Sequence, residues 1–254
     1  DTTAPTLQLP ATITADATSP QGATITYTVA ATDPDDANDQ ITTNCTPASG
    51  SVMPVGTTTV NCSTNDVAGN ASTGSFQVVV QDTTAPTLQL PATITVDATS
   101  LQGATVNYAV TATDPTNTAD QIAVSCTPVM NSVFSVGATT VDCSAQDPAG
   151  NKSTGSFRVI VQDVTAPTLQ LPVTITADAT DQQGAVVNYA VTATDPTNTP
   201  DQLAISCTIP SGSVFPIGTT AVICGAQDPS GNMSTGSFKV VVKIKADTVQ
   251  INIL

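Results

Sequence analysis

The chain has 254 residues, 20 acidic side chains against five basic ones, a net charge of −15, 3% aromatics, and neither His nor Trp. That balance argues against docking on nucleic-acid phosphates or anionic membrane surfaces, which needs Lys and Arg. Without His there is no base for a nucleophilic triad and no four-ligand zinc shell. Every acidic residue is Asp and none is Glu. Asp favours turns and caps, so the acidity belongs to the loops of a β protein.

The opening DTTAPTLQLPATIT recurs at Asp82, and returns as DVTAPTLQLPVTIT at Asp163, a period of 81 residues. The chain divides into units 1–81, 82–162 and 163–243, followed by a tail at 244–254. Roughly 80 residues suffice for each unit to close its own small core, unlike the shorter repeats of a solenoid.

In repeat 1, residues 6–14 (TLQLPATIT) read as a first strand kinked at Pro10. A turn at 19–22 leads to a strand over 23–32, where Ile25, Tyr27 and Val29 alternate with Thr24, Thr26 and Thr28. That alternation predicts one buried and one exposed face. An Asp-Pro loop at 33–40 precedes a strand carrying Cys45, a turn at 48–55, and a strand over 57–63 carrying Cys62. DVAGN at 66–70 closes a hairpin onto 74–81, with Phe76 as core anchor. Nothing reads as a helix. Six or seven short strands in such a length predict an immunoglobulin-like β-sandwich. The expected fold is therefore all-β, three tandem sandwich domains arranged as an extended rod.

With so few aromatics, each core is thin and calls for a staple. Cys45/Cys62, Cys126/Cys143 and Cys207/Cys224 each lie 17 residues apart at the same place in their repeats, which predicts three intra-repeat disulfides and an oxidising, extracellular setting. No apolar stretch reaches the length of a membrane span. No leader precedes Asp1, so a mature product or an excerpt of a larger chain is expected.

Several ordered motifs recur in every unit: D-x-T-A-P at the start, A-T-D-P at 31–34, 112–115 and 193–196, S-V-[MF]-x-[VI]-G at 51–56, 132–137 and 213–218, the cysteine after it, and D-x-[AS]-G-N before a final F-x-V-x-V. In these the chain resembles the hyalin repeat (HYR) over about 243 residues. The resemblance implies an immunoglobulin-like extracellular module associated with cell adhesion, without catalysis. Many members carry a further cysteine near the first strand, where this chain has Leu9, Leu90 and Leu171.

Three acidic segments converge at one pole of such a sandwich: the start of the first strand, the Asp-Pro loop and the last hairpin. Candidate Ca2+ ligands are Asp82, Asp114 and Asp147 in repeat 2, and Asp163, Asp195 and Asp228 in repeat 3. The same pole of repeat 1 carries Asp1, Asp33, Asp35, Asp36, Asp39 and Asp66. Ordinary turn chemistry explains each Asp equally well. Asn70, Asn151 and Asn232 begin N-x-S sequons, candidate glycosylation sites that also fit the G-N turn without sugar. The tail IKADTVQINIL breaks the repeat and alternates like a strand, suited to a new domain, an extended last strand or pairing with a neighbouring subunit. The sequence thus predicts a non-catalytic structural or adhesive stalk at a cell surface or on an appendage. Two alternatives stay open: a module binding other extracellular proteins or glycans directly, and a filament subunit joined through the tail. Ca2+ is the one candidate cofactor; neither nucleic acid nor membrane insertion is expected.

Overall fold

The computed structural model describes residues 1–244; the side chain of Asp39 and residues 245–254 fall outside it, and with them the strand expected in the tail. Repeat 1 contains eight short strands: β1 (Thr6–Gln8), β2 (Ile13–Asp16), β3 (Ala23–Ile25), β4 (Ala30–Thr32), β5 (Thr42–Thr46), β6 (Ser51–Met53), β7 (Gly56–Asn65) and β8 (Ala71–Gln81). One layer is a four-stranded sheet in the order β2-β8-β7-β5. The pairs β1-β4 and β3-β6 supply the other strands. The same strands recur in repeats 2 and 3, so the chain is a series of tandem β-sandwich repeats.

Two expected strands are each split. The 6–14 segment is not one kinked strand: β1 pairs antiparallel with β4, while β2 pairs parallel with β8, and Leu9–Thr12 carries the chain between them. Pro10 has no N–H for a ladder, so it suits the crossing point better than a strand interior. Residues 23–32 also divide, into β3 on β6 and β4 on β1. The predicted alternation of burial nevertheless runs through the gap, with Ile25 buried and Tyr27 and Val29 half-buried. Side-chain facing follows the local period, whereas the hydrogen-bond partner depends on which strand lies alongside. A single 3-10 turn, Asn38–Gln40, interrupts the Asp-Pro loop where no helical turn was expected.

Each core rests on a few large side chains. In repeat 1 these are Ile25, Met53, Val60, Phe76, Val78 and Val80, and in repeat 3 Val187, Phe215, Val222, Phe238, Val240 and Val242. The Tyr27 ring meets Phe76 edge-on at 5.0 Å between centroids, and its hydroxyl donates to the Pro47 carbonyl. Gly22, Gly103 and Gly184 have φ between +107° and +127°. A Cβ on Gly103 would stand 1.9 Å from the Phe134 carbonyl oxygen, so only glycine lets this turn approach the strand beside it.

The disulfides Cys45–Cys62, Cys126–Cys143 and Cys207–Cys224 join directly opposed residues of neighbouring antiparallel strands. They fasten the edge strand of the four-stranded sheet to its neighbour instead of bridging two sheets. Cys62, Cys143 and Cys224 are buried, so the staple also fills core space.

The described residues pack as two compact bodies, one formed by 1–91, 109–129 and 141–157, the other by 92–108, 130–140 and residues from 158 onward. Both repeat boundaries, at 81/82 and 162/163, lie inside a body.

Candidate functional site at the acidic pole

The first strand, the Asp-Pro loop and the last hairpin meet at one pole of each repeat. Asp147 opens the hairpin turn of repeat 2, and Asn151 closes it. The Asn151 backbone N–H donates to Asp147 Oδ1 at 2.8 Å, and its side-chain Nδ2 donates to Asp147 Oδ2 at 2.8 Å and to the Asp82 carbonyl at 3.1 Å. Repeat 3 reproduces this with Asp228, Asn232 and the Asp163 carbonyl. In repeat 1, Asn70 holds Asp66 the same way but reaches the Asp1 carbonyl at 3.4 Å.

The Asp-Pro loop supplies the second layer of contacts. Asp114 Oδ1 accepts from the Thr116 N–H at 2.8 Å, the Thr116 hydroxyl at 2.5 Å and Asn117 Nδ2 at 3.2 Å. Asn117 Nδ2 also donates to Asp82 Oδ2 at 2.7 Å, where the Thr116 hydroxyl lies at 2.7 Å as well. Asn198 likewise bridges Asp163 Oδ2, at 2.8 Å, and Asp195 Oδ1, at 3.2 Å. Burial raises the Asp114 and Asp195 carboxyls, but the hydrogen bonds from the Thr and Asn outweigh it and leave both below the ordinary carboxylate range.

The candidate ligands of repeats 2 and 3 therefore share a pole, yet they meet through amide and hydroxyl donors. One oxygen stays unpaired: Oδ2 of Asp114, and of Asp195, is shut off from solvent without a hydrogen-bond partner. Repeat 1 differs where the donors sit, since Asp35 and Asp36 stand in place of Thr116/Asn117 and Thr197/Asn198. Donors are thereby replaced by acceptors. Among the described residues, Asp1, Asp33 and Asp35, and also Asp1, Asp36 and Asp66, bring carboxylate oxygens within 4.8 Å of one another. Burial, and then the charges of Asp66, Asp33 and Asp35, push the Asp36 carboxyl above its usual range. The sequence signal for this contrast is DPDDAN against DPTNTA and DPTNTP, where the two Asp in place of Thr and Asn look minor until the donors are located.

At the end of its strand, Asp97 accepts from Gln162 Nε2 at 3.0 Å. A cleft within the second body is lined by Leu101 and Val136 of repeat 2 and by Asp163, Asn198 and Gln202 of repeat 3, so it lies across the 162/163 boundary. Other surface depressions are open and polar, such as that of Asn44, Thr46, Asn61, Ser63, Thr73 and Ser75. None of the described helices is long and apolar enough to cross a membrane.

Tandem all-β sandwiches, each with an in-sheet disulfide and an acidic pole tied by amides, define a class of repeated extracellular-type module. The HYR domain model matches residues 1–80, 81–161 and 162–242, and the chain belongs to the HYR domain family. It is 36% identical over 210 residues to "Hyalin" from Lytechinus variegatus, covering 78% of this chain and 39% of that protein. A second "Hyalin", from Strongylocentrotus purpuratus, is 33% identical over 210 residues, covering 78% of this chain and 17% of that one. The chain thus spans less than half the length of these relatives. Among solved structures, mouse cadherin-23 EC22-24 is similar at 15% identity and a TM-score of 0.39, with 95% of this chain and 98% of that one covered.

Proposed function

We propose that this chain is a non-catalytic segment of an extracellular adhesive stalk, three domains at 1–81, 82–162 and 163–243 that hold a binding element away from a surface. The observation that carries this reading is the threefold recurrence of one β-sandwich with its own in-sheet disulfide. Pro86 and Pro167, just beyond each boundary, restrict the backbone there and oppose bending. The disulfides and the similarity to hyalin support an extracellular location. Small-angle scattering on the full chain tests the proposal. A maximum dimension of roughly 110–130 Å is expected from the 10- and 11-residue strands of each repeat plus loops, three times over; a compact particle of half that length would refute it. A second reading, direct binding of a protein or glycan partner, draws on the distinct carboxylate-lined pole of repeat 1.

A further inference from the structure

The chain contains five N-x-S/T sequences, and the structure divides them into two kinds. Asn70, Asn151 and Asn232 stand at the hairpin turn. Asn44, in Asn44-Cys45-Thr46, and Asn61, in Asn61-Cys62-Ser63, lie within the disulfide-bearing strands β5 and β7 of repeat 1. Repeats 2 and 3 have Ser125, Asp142, Ser206 and Ile223 at the matching positions, so this second kind occurs in repeat 1 alone.

A side-chain amide has two protons. In repeats 2 and 3 both are committed: one goes to the carboxylate of Asp147 or Asp228, the other to the carbonyl of Asp82 or Asp163, 69 residues away in sequence. This clasp ties the first strand of the repeat to its last hairpin. Attaching a sugar replaces one of those protons and sets a bulky group where the nitrogen is enclosed at 2.8–3.1 Å from two oxygens. Asn44 and Asn61 are in the opposite situation. Cys45 and Cys62 point to the core, so by strand alternation their neighbours point out, and both asparagines are exposed. Around them Thr46, Ser63, Thr73, Gly74 and Ser75 form an open depression of small side chains.

We propose that Asn44 and Asn61 are the N-glycan acceptors compatible with the folded chain, and that Asn70, Asn151 and Asn232 are closed sequons whose amides act as clasps. In the transfer, the anomeric carbon of a phosphate-activated oligosaccharide bonds to Nδ2, its bond to the phosphate carrier breaks, and one Nδ2 proton is released. At Asn44 or Asn61 this costs no internal hydrogen bond of the clasp. At Asn151 or Asn232 it opens the pole. Asn70, with its longer reach to Asp1, is the weakest of the three clasps.

The test is secretion of the full chain from a eukaryotic host, followed by peptide mass mapping of the disulfide-bonded product. Sugar is expected at Asn44, Asn61 or both, and none at Asn151 or Asn232. Asn44→Gln with Asn61→Gln should abolish the sugar and leave the melting temperature unchanged. Asn151→Gln should lower the melting of repeat 2 by roughly 5–10 °C. Should that variant fail to fold, Ser153→Ala removes the same sequon while keeping the amide, and it should secrete and melt like the parent. Sugar on Asn151 or Asn232 in protein of unchanged melting, bare Asn44 and Asn61, or an Asn151→Gln variant that melts normally would each overturn the proposal.

Discussion

Asn117→Asp is a near-isosteric change that converts the central donor of the second pole into an acceptor. The Asn117 amide lies 2.7 Å from Asp82 Oδ2 and 3.2 Å from Asp114 Oδ1. Two hydrogen bonds to charged acceptors contribute about 1.5 kcal/mol each at the low end suited to a partly exposed site. The new carboxylate also faces two others, adding about 1 kcal/mol each at water-like screening. The expected loss is about 4–5 kcal/mol for repeat 2, a large share of the roughly 5–15 kcal/mol that stabilises a domain. Calorimetry of the full chain, with hydrogen exchange on peptides from 82–162 to assign the shifted transition, measures it. The pH dependence follows from Asp114, whose carboxyl is held below the ordinary range. A depressed acid stabilises the fold above its unfolded value and loses that contribution as pH falls through the folded one. Parent and variant should therefore converge in acid, below roughly pH 4. The reverse change in repeat 1, Asp36→Asn, restores an amide where a carboxyl is pushed up, and should raise stability at neutral pH and not in acid. If Asn117→Asp melts with the parent at pH 7, the pole is solvated and its hydrogen bonds carry nothing.

The disulfides give a second test: Cys126→Ala with Cys143→Ala opens a loop of 17 residues and should cost repeat 2 about 3 kcal/mol, and a non-reduced digest of the parent should yield the pairs 45–62, 126–143 and 207–224 without free thiol. Calcium gives a third. Asp82, Asp114, Asp147, Asp163, Asp195 and Asp228 each already accept a hydrogen bond, and the unpaired Oδ2 of Asp114 or Asp195 is too little for a cation that takes about six to eight oxygens, so EDTA should leave repeats 2 and 3 melting unchanged, and any response should fall on repeat 1. A melting temperature that rises in millimolar Ca2+ and loses the rise in Asp114→Ala and Asp195→Ala would instead make those acids ligands.

Periodicity carried the local features of this protein. The 81-residue repeat, the alternation through Ile25, Tyr27 and Val29, and the paired cysteines follow from side-chain type and spacing, which act over a few residues or recur without change. The partner of each strand did not follow. Residues 6–14 and 23–32 each read as one strand, yet both cross between ladders, and β2 runs parallel to β8 across more than 60 residues of intervening chain. Hydrogen bonding between strands depends on which backbones are brought side by side, and sequence spacing does not record it. The acids at the pole show the same division. Their convergence was readable from the order of strands and turns, whereas their state was not: Asp114 and Asp82 become acceptors because Thr116 and Asn117 arrive with donors, and Asn151 closes on Asp82 from 69 residues away. Likewise, all five sequons are equivalent as letters. Only the folded backbone turns Asn44 and Asn61 outward and commits both amide protons of Asn151 and Asn232.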